Sequence, residues 1–74
     1  MAKYRIVLIA EEEGGYSVLV PALPGCFTQG DTKEEALQMA KEAIALHLES
    51  LLAHGEPVPQ DNTELDTVEV EPAA

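Results

Sequence analysis

The stretch GGYSVLVPALPGCFTQGDTKEEA, residues 14–36, runs through a turn, a strand, a proline break, a second strand and a helix start with almost no spare residue. Gly14-Gly15 lies between the apolar runs YRIVLIA (4–10) and YSVLV (16–20), the pattern of a β-hairpin. Pro21 has no amide to give a sheet ladder, and Pro24-Gly25 is a turn pair. The second strand therefore ends at Val20 and the chain bends into CFTQ, a short third strand over 26–29. Gly30 frees the backbone for another turn. Thr32 with Glu35 three residues on is a capping box: the hydroxyl accepts from the Glu35 amide, and the carboxylate reaches back to the Thr32 amide.

Before this stretch, residues 3–10 read as the first strand, with Tyr4, Ile6, Leu8 and Ala10 on one face and Arg5, Val7 and Ile9 on the other. Both faces are largely apolar, which is the composition of a central strand or one covered on both sides. A helix is predicted from Lys33 to His54. Its core stripe is Leu37, Ala40, Ile44, Leu48 and Leu51, at spacings of 3, 4, 4 and 3. Gly55 stops the helix and Pro57 prevents its continuation. After the loop VPQDNTE, LDTVEV (65–70) reads as a fourth strand whose carboxylates, Asp66, Glu69 and the following Glu71, suit a protected edge. The fold class expected is α+β, a β-β-β-α-β domain over residues 1–71 with a frayed tail at 72–74. Strand four returns beside strand one, giving the sheet order 3-2-1-4. One helix covers one face of such a sheet, so the other face calls for a second cover.

Seventy-four residues make one domain, and a chain so short buries only about 60% of its unfolded surface. A homodimer or a partner protein is therefore expected. Fourteen acidic against four basic residues leave a net charge of −10. That balance argues against direct contact with nucleic acid or an anionic membrane, and favours a basic partner. The first apolar run is too short for a secretory signal and carries Arg5, so a cytoplasmic location is expected.

The residues that could carry chemistry do not converge in sequence. A carboxylate-bound divalent metal of the nuclease type needs an acid within the central strand, and KYRIVLIA has none. Glu11, Glu12 and Glu13 sit at the hairpin turn, where a solvated loop is the natural place for them. His47 and His54 are two helical turns, roughly 10 Å, apart, too far to share one ion unaided. Cys26, the one cysteine, reads as a small buried hydrophobe rather than a nucleophile. No GxxxxGK[ST] phosphate loop is present. No catalytic, cofactor or metal residue is assigned. The candidates are instead for a protein interface: Met39 and Leu46, seven apart on a milder apolar strip flanked by Ala36, Ala43 and Ser50, and the acidic turn Glu11, Glu12 and Glu13.

The ordered set GGY, PALPGC, QGDT, EEA, EAI and GEPVP, running from about Tyr4 to Gln60, resembles the HicB family of antitoxins. The similarity is to its small single-domain members from thermophilic bacteria. It implies a partial RNase H-like fold and a small basic HicA-type toxin as partner, an mRNA-cleaving ribonuclease that the antitoxin neutralises by masking. Typical members of the family carry a C-terminal DNA-binding module. After Pro59 this chain holds only an acidic stretch and a short tail, so direct DNA binding is not expected. Two alternatives stand beside this reading: a metal-dependent nuclease on a degenerate RNase H-like fold, and a solitary structural homo-oligomer with no toxin.

Overall fold

A computed structural model describes residues 2–73. Three strands, β1 (Val7–Ala10), β2 (Tyr16–Leu19) and β3 (Phe27–Gly30), precede one helix, α1 (Lys33–Ala53). The strands form an antiparallel meander in the order β1-β2-β3. At the first junction Gly14 and Gly15 take φ of 98° and 82°. The Glu11 amide donates to the Gly15 carbonyl at 3.0 Å, which closes the hairpin. These backbone angles are open to glycine and strained for other residues. The second junction is tied by hydrogen bonds from the Leu23 amide to the Val20 carbonyl and from the Cys26 amide to the Leu23 carbonyl, at 3.0 and 2.9 Å. That loop turns Leu23 fully inward.

Register sorts the side chains into two faces. Leu8, Val18 and Thr28 stand opposite one another across the sheet, and so do Val7, Leu19 and Phe27. The first row lies under the helix, which packs over β3 and β2. Buried Val18, Ala36 and Ala40 form one cluster with Ile6, Leu8 and Tyr16 against it. Buried Val20, Leu23 and Cys26 form a second, with Tyr4, Ala43, Ile44 and Leu48. Small side chains let the helix approach the sheet closely at its N-terminal end. A Cβ on Gly30 would lie 2.5 Å from the Ala36 nitrogen, so a side chain there would push α1 off β3. Further along, Ile44 and Leu48 fill the wider space over the Val20–Cys26 loop.

Both helix ends are built as the sequence suggests, with one change. Thr32 is the N-cap and its Oγ1 accepts from the Glu35 amide at 3.1 Å. The Glu35 carboxylate accepts from the Asp31 amide, one residue before the expected Thr32 amide, at 3.1 Å. At the C-terminus Gly55 has φ 67°. The Glu56 amide donates to the Leu51 carbonyl and the Gly55 amide to the Leu52 carbonyl, at 2.9 and 3.1 Å. This paired closure satisfies carbonyls that the last turn leaves open.

Three expectations need correction. Residues 65–70 form no strand: from Glu56 to Ala73 the chain has no regular element, and every residue from Glu64 to Ala73 is exposed. The sheet order is therefore β1-β2-β3 without the fourth member of 3-2-1-4. As a result β1 is an edge strand, not a central one, and it is shorter than residues 3–10. Finally, the helix buries Ala36, while Leu37 is 40% exposed. Spacing alone did not separate these neighbours; the close approach at Gly30 admits only the smaller one.

Candidate functional site

Outside the small core the chain presents three surfaces that could bind. The first is the sheet face away from the helix. There Phe27 is 70% exposed, Leu19 45% and Ile9 43%, with half-buried Val7 in the same row as Leu19 and Phe27. Three apolar side chains in one cross-strand row make a flat contact surface, and contiguous exposed apolar surface of this kind marks interfaces. The sequence reading anticipated an uncovered face but did not single out Phe27. Strict alternation after inward-facing Cys26 carries that signal; its alignment with Val7 and Leu19 depends on two hairpin registers that sequence leaves open.

The second surface is the β1–β2 hairpin and the helix flank beside it. Glu11, Glu12 and Glu13 are all exposed. The Glu11 carboxylate accepts from the Ser17 hydroxyl at 2.6 Å, which orients it across the hairpin. A shallow concavity there joins Glu11 to Asp31, Glu35 and Met39. The fold thus brings together two of the candidate features, Met39 and the acidic turn. Leu46 is 67% exposed on the same helix flank as Met39, but two turns away, about 10 Å along the axis. Ala36 and Ala43, expected to flank this strip, pack instead towards the core.

The third surface is the segment after the helix. Its base is tethered: the Tyr4 hydroxyl donates to the Pro59 carbonyl at 2.6 Å, and the Arg5 amide donates to the Asp61 carboxylate. The Arg5 guanidinium stands 4.0 Å from the same carboxylate, whose side chain is only 4% exposed. The Thr63 amide donates to Asp61 as well, at 2.9 Å. The Asp61 carboxyl is held down at about 2, first by the hydrogen bond from the Thr63 side chain, then by the Arg5 and Thr63 amides. Beyond this knot Leu65, Val68 and Val70 are 64%, 84% and 78% exposed.

The groups capable of other chemistry are placed apart. His54 Nδ1 lies 2.7 Å from the Ser50 carbonyl within its own helix. Cys26 is buried, and desolvation pushes its thiol pKa up, away from thiolate character. Among the described residues no three His, Cys, Asp or Glu side chains gather as a metal site would require. Among them, too, no helix is long and apolar enough to cross a membrane.

The chain is thus a small α+β domain with exposed acidic and apolar surface and an arm tethered at its base. Residues 4–73 match the family model described as the HicB-like antitoxin of bacterial toxin–antitoxin systems, and the chain belongs to that family. A UPF0150 protein of Thermoplasma acidophilum is 56% identical over 66 residues, covering 89% of this chain and 96% of that protein. A UPF0150 protein of Synechocystis is 49% identical over 59 residues, 80% of this chain and 75% of that protein. Antitoxin HicB 1 of Photorhabdus laumondii is 44% identical over 57 residues, 77% of this chain but only 37% of that longer protein.

Proposed function

We propose that this chain is the antitoxin of a toxin–antitoxin pair and acts in the cytoplasm as a non-enzymatic binder. Its partner is a small basic HicA-type ribonuclease that cleaves mRNA, and neutralisation is by masking of the toxin's RNA-binding surface. The carrying observation is the family match over residues 4–73, which spans the whole folded body. The net charge of −10 supports it, because a surface that repels nucleic acid attracts the protein that binds nucleic acid. The RNase H-like kinship implied by the resemblance belongs to the same reading, as a scaffold rather than an activity.

The contact surface proposed is the hairpin end and the neighbouring helix flank. Glu11, Glu12 and Glu13 supply steering, while Met39 and Leu46 supply apolar anchors. The test is association with a purified HicA-type protein, measured by surface binding at low and moderate salt. Association should be fast at low salt and slow as salt screens the acidic turn. Reversing the three glutamates to lysine should slow it about ten-fold or more, in line with charge-steered pairs. Leu46→Glu should weaken the complex mainly through faster dissociation. No binding by the unaltered chain overturns the reading.

A further inference from the structure

Two parts of this molecule are built for places they do not occupy. The first is β1. With Ile6 before it, the strand reads Val7, Leu8, Ile9, Ala10, apolar on both faces, which is the composition of an interior strand. Yet it pairs only with β2, and among the described residues its outer edge has no neighbouring strand. Edge strands are ordinarily blunted by charge, proline or a bulge, and β1 has none of these between Ile6 and Ala10. The helix offers it little cover, since α1 lies over β3 and β2.

The second is the arm after Thr63. Leu65-Asp66-Thr67-Val68-Glu69-Val70 has strand composition, with Val68 and Val70 on one face, but it forms no strand and is exposed throughout. The whole chain is correspondingly drawn out. Its extents are 51 × 26 × 20 Å and its radius of gyration is 14.8 Å. A compact chain of this length would have a radius of gyration of about 11 Å.

We infer that the arm is a strand supplied in trans: in a two-fold dimer, residues 64–71 of each copy pair with the outer edge of β1 in the other. The occupant of the open edge is thus a second copy of this chain. Three observations select it. The arm is anchored at its base by the Arg5 amide and the Tyr4 hydroxyl, just before β1, yet from Glu64 to Ala73 it is exposed and forms no strand on its own copy. At about 3.3 Å per residue, 65–70 extends about 20 Å, enough to run the length of residues 5–10. Charge also fits. The arm carries Glu64, Asp66, Glu69 and Glu71, while the stretch from Ala2 to Ala10 has no acid and holds Lys3 and Arg5, two of the chain's four cations. Exchange between identical copies is isologous, so each open edge is closed once and no chain of copies propagates. Each sheet then has the order 3-2-1-4 with strand four from the partner. Val68 and Val70 gain the apolar neighbours on β1 that they lack in a single copy. This inference does not rest on the antitoxin reading.

The test uses the full chain and its Val68→Pro and Thr67→Pro variants. Val68 is 84% exposed, Thr67 is exposed too, and both lie outside every element, so each substitution leaves the single-copy fold intact, verified by unchanged helical circular dichroism. Light scattering after size exclusion should give the mass of two chains for the parent. Alternate amides of the added strand face β1, so one of Val68→Pro and the neighbouring Thr67→Pro removes a ladder amide, and in that variant the dimer dissociation constant should rise about ten-fold or more. Hydrogen exchange should find amides of 66–70 and of β1 protected in the parent and exchanging in that variant. A parent with the mass of one chain overturns the inference, and so does a dimer that Val68→Pro and Thr67→Pro both leave unchanged.

Discussion

Gly30 shows how much a single missing side chain governs here. Its role is steric, since a Cβ would meet the Ala36 nitrogen at 2.5 Å and the Ala36 Cα at 2.7 Å. Gly30→Ala should therefore cost about 1–3 kcal/mol, the usual range for overpacking, read as a lower urea midpoint. The sequence marked Gly30 as a turn residue, but its contact with the helix depends on how β3 meets α1, which no local pattern encodes. Asp61 is the second such residue. Its carboxyl is depressed to about 2, so its contribution is complete above the ordinary carboxylate value of about 3.9 and is lost as the pH falls towards 2. Between those limits the arm's base should loosen, followed by exchange of the Arg5 and Thr63 amides. Asp61→Asn should abolish that pH step. Nothing in DNT at 61–63 announces this knot, because its partner Arg5 is 56 residues away.

At the scale of elements, the helix was legible almost to the residue. Thr32, Glu35, Gly55 and Pro57 are local signals whose chemistry acts within one turn, and the observed α1 runs from Lys33 to Ala53. Gly55→Ala should fray its end at a cost of about 1 kcal/mol, because φ 67° is left-handed while the space around Gly55 is open. The cost should appear in thermal unfolding and as faster exchange of the last-turn amides. The three strands and both turns were likewise legible, since glycine and proline punctuate them. The fourth strand was not. LDTVEV has the right alternation, but whether such a segment pairs depends on an edge being presented to it, and pairing partners are not a local property. Of the candidate surfaces, the neighbourhood of Met39 and Glu11 is a concavity that the helix and the hairpin make together, whereas Phe27 emerges only once the registers bring Val7, Leu19 and Phe27 into one row.

For the whole molecule, the small core explains why so much apolar surface is left for others. Among the described residues six, Val18, Val20, Leu23, Cys26, Ala36 and Ala40, make up the buried apolar set, while Phe27, Leu46, Val68 and Val70 all stand exposed. A chain this short is marginal alone and is stabilised by whatever binds the folded state. Its melting temperature should therefore rise with protein concentration if copies associate, and rise further on adding a toxin. The two proposed contacts use different surfaces, so Leu46→Glu should impair toxin binding while leaving the two-chain mass intact. The proline variant of the pair Thr67→Pro and Val68→Pro that breaks the dimer should do the reverse. Neutralisation by masking, as proposed, is checked by mRNA cleavage by a HicA-type toxin titrated with this chain. Cleavage should fall to background as the chain approaches stoichiometric amounts, with no metal added and no RNA bound by the chain itself. Undiminished cleavage in the presence of excess folded chain would rule out neutralisation by masking.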